Sequence, residues 1–61
     1  MTRKDYVAIA GCFKRASDSH QQDKDGLAAL AHVADAIAYQ MAQDNPRFDR
    51  ARFLKACGVQ S

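Results

Sequence analysis

The apolar residues of the chain recur at intervals of three and four positions in two long stretches, which is the spacing of amphipathic helices. The first stretch follows Thr2, which can form a capping box with Asp5 at the start of a helix. Its apolar face contains Tyr6, Ile9, Ala10 and Phe13, and it is widened by Val7 and Cys12. The pattern predicts a first helix over residues 3–16.

A polar segment without any apolar residue covers positions 17–25. It predicts a connecting loop that also contains the start of the second helix. The alternative capping residues for that start are Ser19, Asp23 and Asp25. The second helix is predicted over residues 24–43 and ends at Asn45 and Pro46, because Pro cannot continue a helix and Asn tolerates the left-handed conformation after one.

The second helix carries the clearest periodicity in the chain. Its apolar positions alternate steps of three and four residues, as in the seam of a coiled coil. These seam residues are Leu27, Leu30, Ala34, Ile37 and Met41. Val33 and Tyr39 extend the apolar surface beyond the seam. One short partner helix cannot cover so wide a face, so we expect the seam to form the interface of a homo-oligomer.

The third helix is short and is marked at both ends. Asp49 is a favourable N-cap, and Phe48 before it can pack on Phe53 as a hydrophobic staple. Gly58 stands where the chain leaves the helix in a left-handed conformation. These signals predict a helix over residues 50–57. Its inward-facing residues are predicted to be Ala51, Leu54 and Cys57.

The composition supports a helical fold in one small domain. The chain has 61 residues, of which 12 are alanine, and Gly and Pro are scarce. The sequence therefore predicts an all-α domain spanning residues 1–61, made of an antiparallel helical hairpin plus a short third helix. A chain of this size buries only about 60% of the surface of its unfolded form, which is a second reason to expect oligomerisation into a helical bundle.

Positive charge is concentrated towards the two ends of the sequence. Residues 1–17 and 45–61 are net basic and residues 18–44 are net acidic, although the whole chain carries only +2. The C-terminal basic cluster consists of Arg47, Arg50, Arg52 and Lys55, which Arg3 and Lys4 can supplement. Arg50 and Arg52 fall in the first turn of the third helix, where a cation opposes the helix dipole. Stability alone does not favour that placement.

Two interpretations of the basic cluster stay open. The arginines can pair with Asp44 and Asp49 and serve the fold. Alternatively, the arginines and the free N–H groups at the start of the third helix form a site for a phosphate, a nucleotide or an acidic protein surface. Arginine suits planar, bidentate recognition better than lysine does, and it supplies three of the four cationic residues between 47 and 55.

The sequence offers no recognisable catalytic or metal-binding motif. The chain contains no Glu, no nucleophile motif and no glycine-rich phosphate loop. Cys12 and Cys57 are far apart, as are His20 and His32, whereas zinc sites use close pairs of such residues. His32 is expected to form a surface pair with Asp35. We therefore expect no enzyme activity, no metal and no cofactor.

The remaining features concern location and packing. A membrane span would need a run of about 20 apolar residues, and the sequence contains none. The first basic residues are also not followed by the apolar segment that is typical of a signal peptide. We therefore expect a cytoplasmic protein with reduced cysteines that pack in the core. The tyrosines and phenylalanines lie in apolar stripes and are also expected in the core.

DNA binding by the third helix is the alternative function, and the low net charge argues against it.

Three segments carry a resemblance to a known group of proteins. They are the C-terminal run DNPRFDRARFLKACG at 44–58, the RKDY segment at 3–6 and the ADAIA stretch at 34–38. Together they resemble small helical proteins encoded by tailed phages and prophages. The resemblance implies a phage accessory protein that acts in the host cytoplasm, by binding a host protein or by sequestering an anionic nucleotide, as an inhibitor of host defence. It implies no catalytic residue.

Overall fold

The computed structural model describes residues 2–59, which form three α-helices and no strand. Helix α1 spans Arg3–Ser19, α2 spans Lys24–Asp44 and α3 spans Arg50–Cys57. The all-α prediction is confirmed. Helix α3 packs against both longer helices, most extensively against α1, while α1 and α2 have the smallest mutual contact. The short third helix therefore joins the other two.

The starts of the two long helices are set by side-chain caps. The Thr2 hydroxyl accepts the Asp5 N–H at 3.4 Å, and the Thr2 N–H donates to the Asp5 carboxylate at 3.0 Å, which completes the predicted capping box. The Thr2 hydroxyl also donates to this carboxylate at 3.2 Å, and the Thr2 N–H and hydroxyl together lower the pKa of the Asp5 carboxyl. Of the three alternatives for α2, Asp23 is the cap, and its carboxylate accepts the Gly26 N–H at 2.9 Å.

Helix α1 continues to Ser19, beyond its predicted end at Ala16. Ser17 is buried, and its hydroxyl donates to the carbonyl oxygen of Gly58 at 3.2 Å. The Ser19 hydroxyl donates to the Arg15 carbonyl at 3.1 Å and so satisfies a group near the helix end. The polar segment extends the helix because one of its residues packs against the end of α3, a contact that an apolar pattern does not reveal.

The connection between α2 and α3 is a tight turn built around Asn45. This residue is extended, with φ −141° and ψ 105°, so the expected left-handed conformation is wrong. The physical reason is Pro46, which disfavours helical and related conformations of the residue before it. The side-chain oxygen of Asn45 accepts the Arg47 N–H at 3.1 Å, and its carbonyl accepts the Phe48 N–H at 3.0 Å.

Both ends of α3 form as predicted. The Asp49 carboxylate accepts the Arg52 N–H at 3.1 Å as the N-cap. The rings of Phe48 and Phe53 lie 5.5 Å apart, which is the expected staple. Gly58 follows the last turn with φ 72°, in the left-handed region. Local capping signals thus define this helix, although it has only eight residues.

The core is built largely from small side chains. Its buried members are Ala10, Ala34, Ala38, Met41, Phe53 and Cys57. Partly buried residues around them include Tyr6, Ile9, Phe13, Ile37, Phe48, Leu54 and Val59. Ala51 is exposed, in contrast to the prediction. It lies two residues before Phe53 and therefore on nearly the opposite side of α3.

Several residues of the predicted apolar stripes face solvent. Val7 is 64% exposed, Tyr39 is 57% exposed, and Cys12 is also exposed, so the expectation of burial was wrong for Tyr39 and Cys12. The cause is the limited contact between α1 and α2, which leaves the outer edges of both stripes uncovered. None of the helices within residues 2–59 is long and apolar enough to cross a membrane.

The seam predicted as an oligomer interface divides into two parts. Ala34 and Met41 are buried within the single chain, because α1 and α3 already cover that face of α2. Leu27, Leu30 and Ile37 remain partly exposed. The seam therefore belongs in part to the core of one chain.

Candidate anion-binding groove

A groove of about 450 Å³ lies between the first half of α1, the connection at residues 45–49 and the outer side of α3. Arginine side chains from all three segments line it, namely Arg3, Arg47 and Arg52. Apolar and aromatic side chains form the wall between them, namely Tyr6, Val7, Ala10, Phe48, Phe53 and Ala56. We call this feature the arginine groove.

The two helices contribute to the groove through simple helical spacing. Arg3, Val7 and Ala10 lie one turn apart on α1, and Arg52 and Ala56 lie one turn apart on α3. Each helix therefore presents an arginine next to small apolar residues on the same face. Because α3 packs along α1, the two faces meet and create a concave surface.

An aromatic cluster supports the connection that carries Arg47. The Tyr6 and Phe48 rings meet edge to face with centroids 4.8 Å apart, and Phe48 continues to Phe53. The Asn45 amide donates to the Tyr6 hydroxyl at 3.5 Å. These contacts hold the turn against α1 and place Arg47 at the edge of the groove.

The side chains that line the groove carry a net positive charge. Within residues 2–59, the guanidinium groups of Arg3, Arg47 and Arg52 form no ion pair and no hydrogen bond with another side chain. Asp49 is the acidic residue that lines the groove, and one of its oxygens is engaged as the cap of α3. Three guanidinium groups and one carboxylate leave a local charge of +2.

Arg50 belongs to a different surface from Arg52. Its guanidinium donates to the Asp35 carboxylate of α2 at 3.3 Å, and both side chains are about half exposed. Neither Asp44 nor Asp49, the partners proposed from the sequence, forms an ion pair within residues 2–59. Asp35 is likewise bonded to Arg50 and not, in the described part of the chain, to His32.

The other two predicted cations also lie away from the groove wall. Lys4 is exposed on α1, and Lys55 is exposed in the last turn of α3, where a cation favours the helix dipole. The N-terminus of α3, which was part of the hypothesised anion site, is capped by Asp49. The structure thus brings together three of the six predicted cations, Arg3, Arg47 and Arg52. They lie beside the start of α3.

The described residues do not form a metal site or a reactive thiol site. In the described range 2–59, no group of three or more His, Cys, Asp or Glu side chains is placed to hold a metal ion. Cys12 is exposed and Cys57 is buried, and both are free thiols. Burial raises the pKa of the Cys57 thiol to about 11, which disfavours its reactive thiolate.

Sequence analysis missed the apolar half of the groove. Val7 was assigned only to the apolar face of the first helix, and Ala56 was given no role in a site. The polar Asn45, which also lines the groove, was predicted only at the end of the second helix. The signal that could have found Val7 and Ala56 is their position one turn after Arg3 and Arg52, respectively. What the pattern cannot supply is the packing of α3 along α1, which places these two faces side by side.

Comparison with known proteins adds no relative. No protein-family model, no curated protein and no solved structure matches this chain. The similarity of the C-terminal run to phage proteins therefore stays a prediction, and the function is argued from the groove.

Proposed function

We propose that this protein is a non-enzymatic binding protein whose arginine groove holds a small anionic ligand of nucleotide size. The observation that carries the proposal is that Arg3, Arg47 and Arg52 lie beside an apolar wall and have no ion-pair partner among residues 2–59. Guanidinium groups form strong, charge-assisted and often bidentate hydrogen bonds with phosphate. The apolar wall can cover the uncharged part of the same ligand.

The size of the groove favours a small molecule over the acidic surface of a host protein. Its volume of about 450 Å³ falls in the range of roughly 300–1,000 Å³ that is typical of small-molecule pockets. A stable protein interface instead buries about 800 Å² on each partner. A host protein could still insert one acidic side chain here, and binding of such a protein without any nucleotide binding would contradict the proposal.

The test is calorimetric titration of the protein with 5′-AMP and ATP. The double variant Arg47→Ala, Arg52→Ala should bind both at least about a hundredfold more weakly, because each charge-assisted hydrogen bond is worth about 1.5–3 kcal/mol. The matched control is Arg50→Ala, which removes the same type of side chain from outside the groove. Its affinity should stay within about twofold of the original. A double variant that binds as tightly as the original chain refutes the proposal.

The alternative of DNA binding by α3 has a separate test. This helix directs Arg50 towards α2 and Arg52 into the groove beside α1. Its arginines therefore do not share one face, as entry into a DNA groove would favour. The alternative would be supported by binding to duplex DNA that weakens steeply between about 50 and 200 mM salt. The slope of log binding constant against log salt concentration should then correspond to about three or more phosphate contacts.

The resemblance of the C-terminal run supplies the biological setting of the proposal. In that setting the protein is a phage accessory protein that withholds a nucleotide from host machinery or host defence. Sequestration requires only tight binding and a sufficient concentration of protein. It does not require a reaction, and arginines beside an apolar wall are sufficient for it.

A further inference from the structure

The charge of the arginine groove distinguishes between kinds of phosphate. Three guanidinium groups and the Asp49 carboxylate give a local charge of +2. A phosphate monoester carries about −1.5 to −2 at neutral pH, whereas a phosphodiester has one ionisable oxygen fewer. Resting on the proposed function, we propose that the groove selects a nucleoside 5′-monophosphate, with its terminal phosphate monoester, over cyclic and diester nucleotides.

The backbone around two of the arginines is fixed before any ligand binds. The Arg47 N–H donates to the Asn45 side chain at 3.1 Å, and the Arg52 N–H donates to Asp49 at 3.1 Å. Both residues are thus held at their backbones while their guanidinium groups remain unpaired in residues 2–59. This preorganisation of the backbone reduces part of the entropy lost on binding, although the side chains still have to be ordered. It suits a compact group with several equivalent acceptor oxygens, which a terminal phosphate provides.

The wall of the groove suits the flat ring of a purine base. Val7 is 64% exposed and lines the groove together with Ala56, Tyr6 and Phe48. A purine covers more apolar surface than a pyrimidine, so it gains more from such a wall. The Tyr6 hydroxyl, which accepts a hydrogen bond from Asn45 at 3.5 Å, keeps its own hydrogen to donate towards the ligand.

The decisive experiment compares two ligands with the same base and sugar. Calorimetric titration with 5′-AMP and with 3′,5′-cyclic AMP changes the phosphate from monoester to diester and leaves the purine unchanged. We expect 5′-AMP to bind at least tenfold more tightly, the effect of losing one charge-assisted contact. Adenosine and inorganic phosphate should each bind more weakly than 5′-AMP, because each supplies only half of the contacts.

Variants locate the binding and separate the two proposals. Arg47→Ala combined with Arg52→Ala should remove the preference for 5′-AMP, and the matched control Arg50→Ala should retain it. Equal or tighter binding of cyclic AMP that still depends on Arg47 and Arg52 overturns the monoester selection and leaves the proposed function standing. No binding of either nucleotide at millimolar concentration, or binding that ignores both arginines, overturns both proposals. Inorganic phosphate that binds as tightly as 5′-AMP refutes the role of the apolar wall.

Discussion

The hydroxyl of Ser17 donates a hydrogen bond to the carbonyl oxygen of Gly58 at 3.2 Å and ties the last turn of α1 to the end of α3. Ser17 is 2% exposed, which makes it the buried polar residue of the described chain, 2–59. The bond joins positions far apart in the sequence. It also explains why the polar segment after Ala16 remains helical.

Ser17→Ala should lower the free energy of unfolding by about 1–2 kcal/mol, because it removes this bond and leaves a carbonyl without its buried partner. The matched control is Ser19→Ala, whose hydroxyl bonds locally to Arg15 on an exposed surface. The control should change the free energy by less than about 0.5 kcal/mol. Urea denaturation of both variants measures the difference, and equal effects would show that the long-range bond adds nothing.

The glycines at 58 and 11 should respond to alanine in opposite directions. Gly58 has φ 72°, a conformation that costs other residues about 1–2 kcal/mol, and a Cβ there would lie 2.7 Å from the Lys14 side chain. Gly11 lies inside α1, where a Cβ would meet only Arg15 at an ordinary 3.6 Å. Gly11→Ala should therefore stabilise the protein by about 0.5–1 kcal/mol.

Combining Gly58→Ala with Lys14→Ala separates backbone strain from crowding at position 58. Because the atom that crowds Gly58 belongs to a flexible side chain, Lys14→Ala should relieve only a small part of the Gly58→Ala penalty. Melting temperatures of the single and double variants measure this. Full rescue by Lys14→Ala would show that the left-handed backbone carries no cost.

Phe48→Ala should destabilise the protein by less than the roughly 3–5 kcal/mol of a fully buried aromatic, since Phe48 is only partly buried. Its ring contacts both Tyr6 and Phe53, so the loss should loosen the start of α3 and the floor of the groove together. A change of about 1 kcal/mol shifts the melting temperature by roughly 4–8 °C in a domain of this size. An unchanged melting temperature would contradict the staple.

Self-association should use the apolar surface of α2 that the single chain leaves uncovered. Val33 is 47% exposed, so Val33→Asp should lower the oligomeric mass in light scattering without unfolding the chain. Leu30→Asp and Ile37→Asp should dissociate and also destabilise it, because these residues pack partly against the chain itself. A monomer at tens of micromolar in the original protein would make the oligomer prediction wrong.

Stability should fall at alkaline pH because of Cys57. Its folded-state pKa is about 11, against an ordinary value of 9.0, so above pH 9 the unfolded chain releases a proton that the folded chain retains. The unfolded state then binds fewer protons, and the free energy of unfolding decreases as pH rises, by roughly 2–3 kcal/mol up to pH 11. Cys57→Ala should lack this part of the decrease when urea curves at pH 8.5 and 10.5 are compared. If the free energy of unfolding falls by the same amount between these two pH values in both proteins, the linkage to Cys57 is refuted.

Local signals were sufficient for most of the fold. The caps at Thr2 and Asp49, the staple of Phe48 on Phe53 and the left-handed Gly58 all involve residues close in sequence, and all form as predicted. Such interactions act within one or two turns, so the sequence contains both partners side by side.

Long-range packing accounts for what could not be predicted. The burial of Cys57 was predicted, but the exposure of Cys12 depends on which helices meet, and no local signal reveals it. The same holds for the site: the C-terminal cluster was identified, but Arg50 turned out to face Asp35 on α2. Arg3 joined Arg47 and Arg52 only because α3 lies along α1.

The packing of α1 chiefly on α3 has a consequence for the newly synthesised chain. Helix α1 is synthesised before α2, and its main partner, Arg50–Cys57, only after α2. At about 5–20 residues per second, α1 is complete roughly a few seconds before α3. Whenever α3 is missing or detached, the apolar face of α1 around Ala10 can bind α3 of another copy, so exchange of α3 between chains is a route to misassembly at high expression.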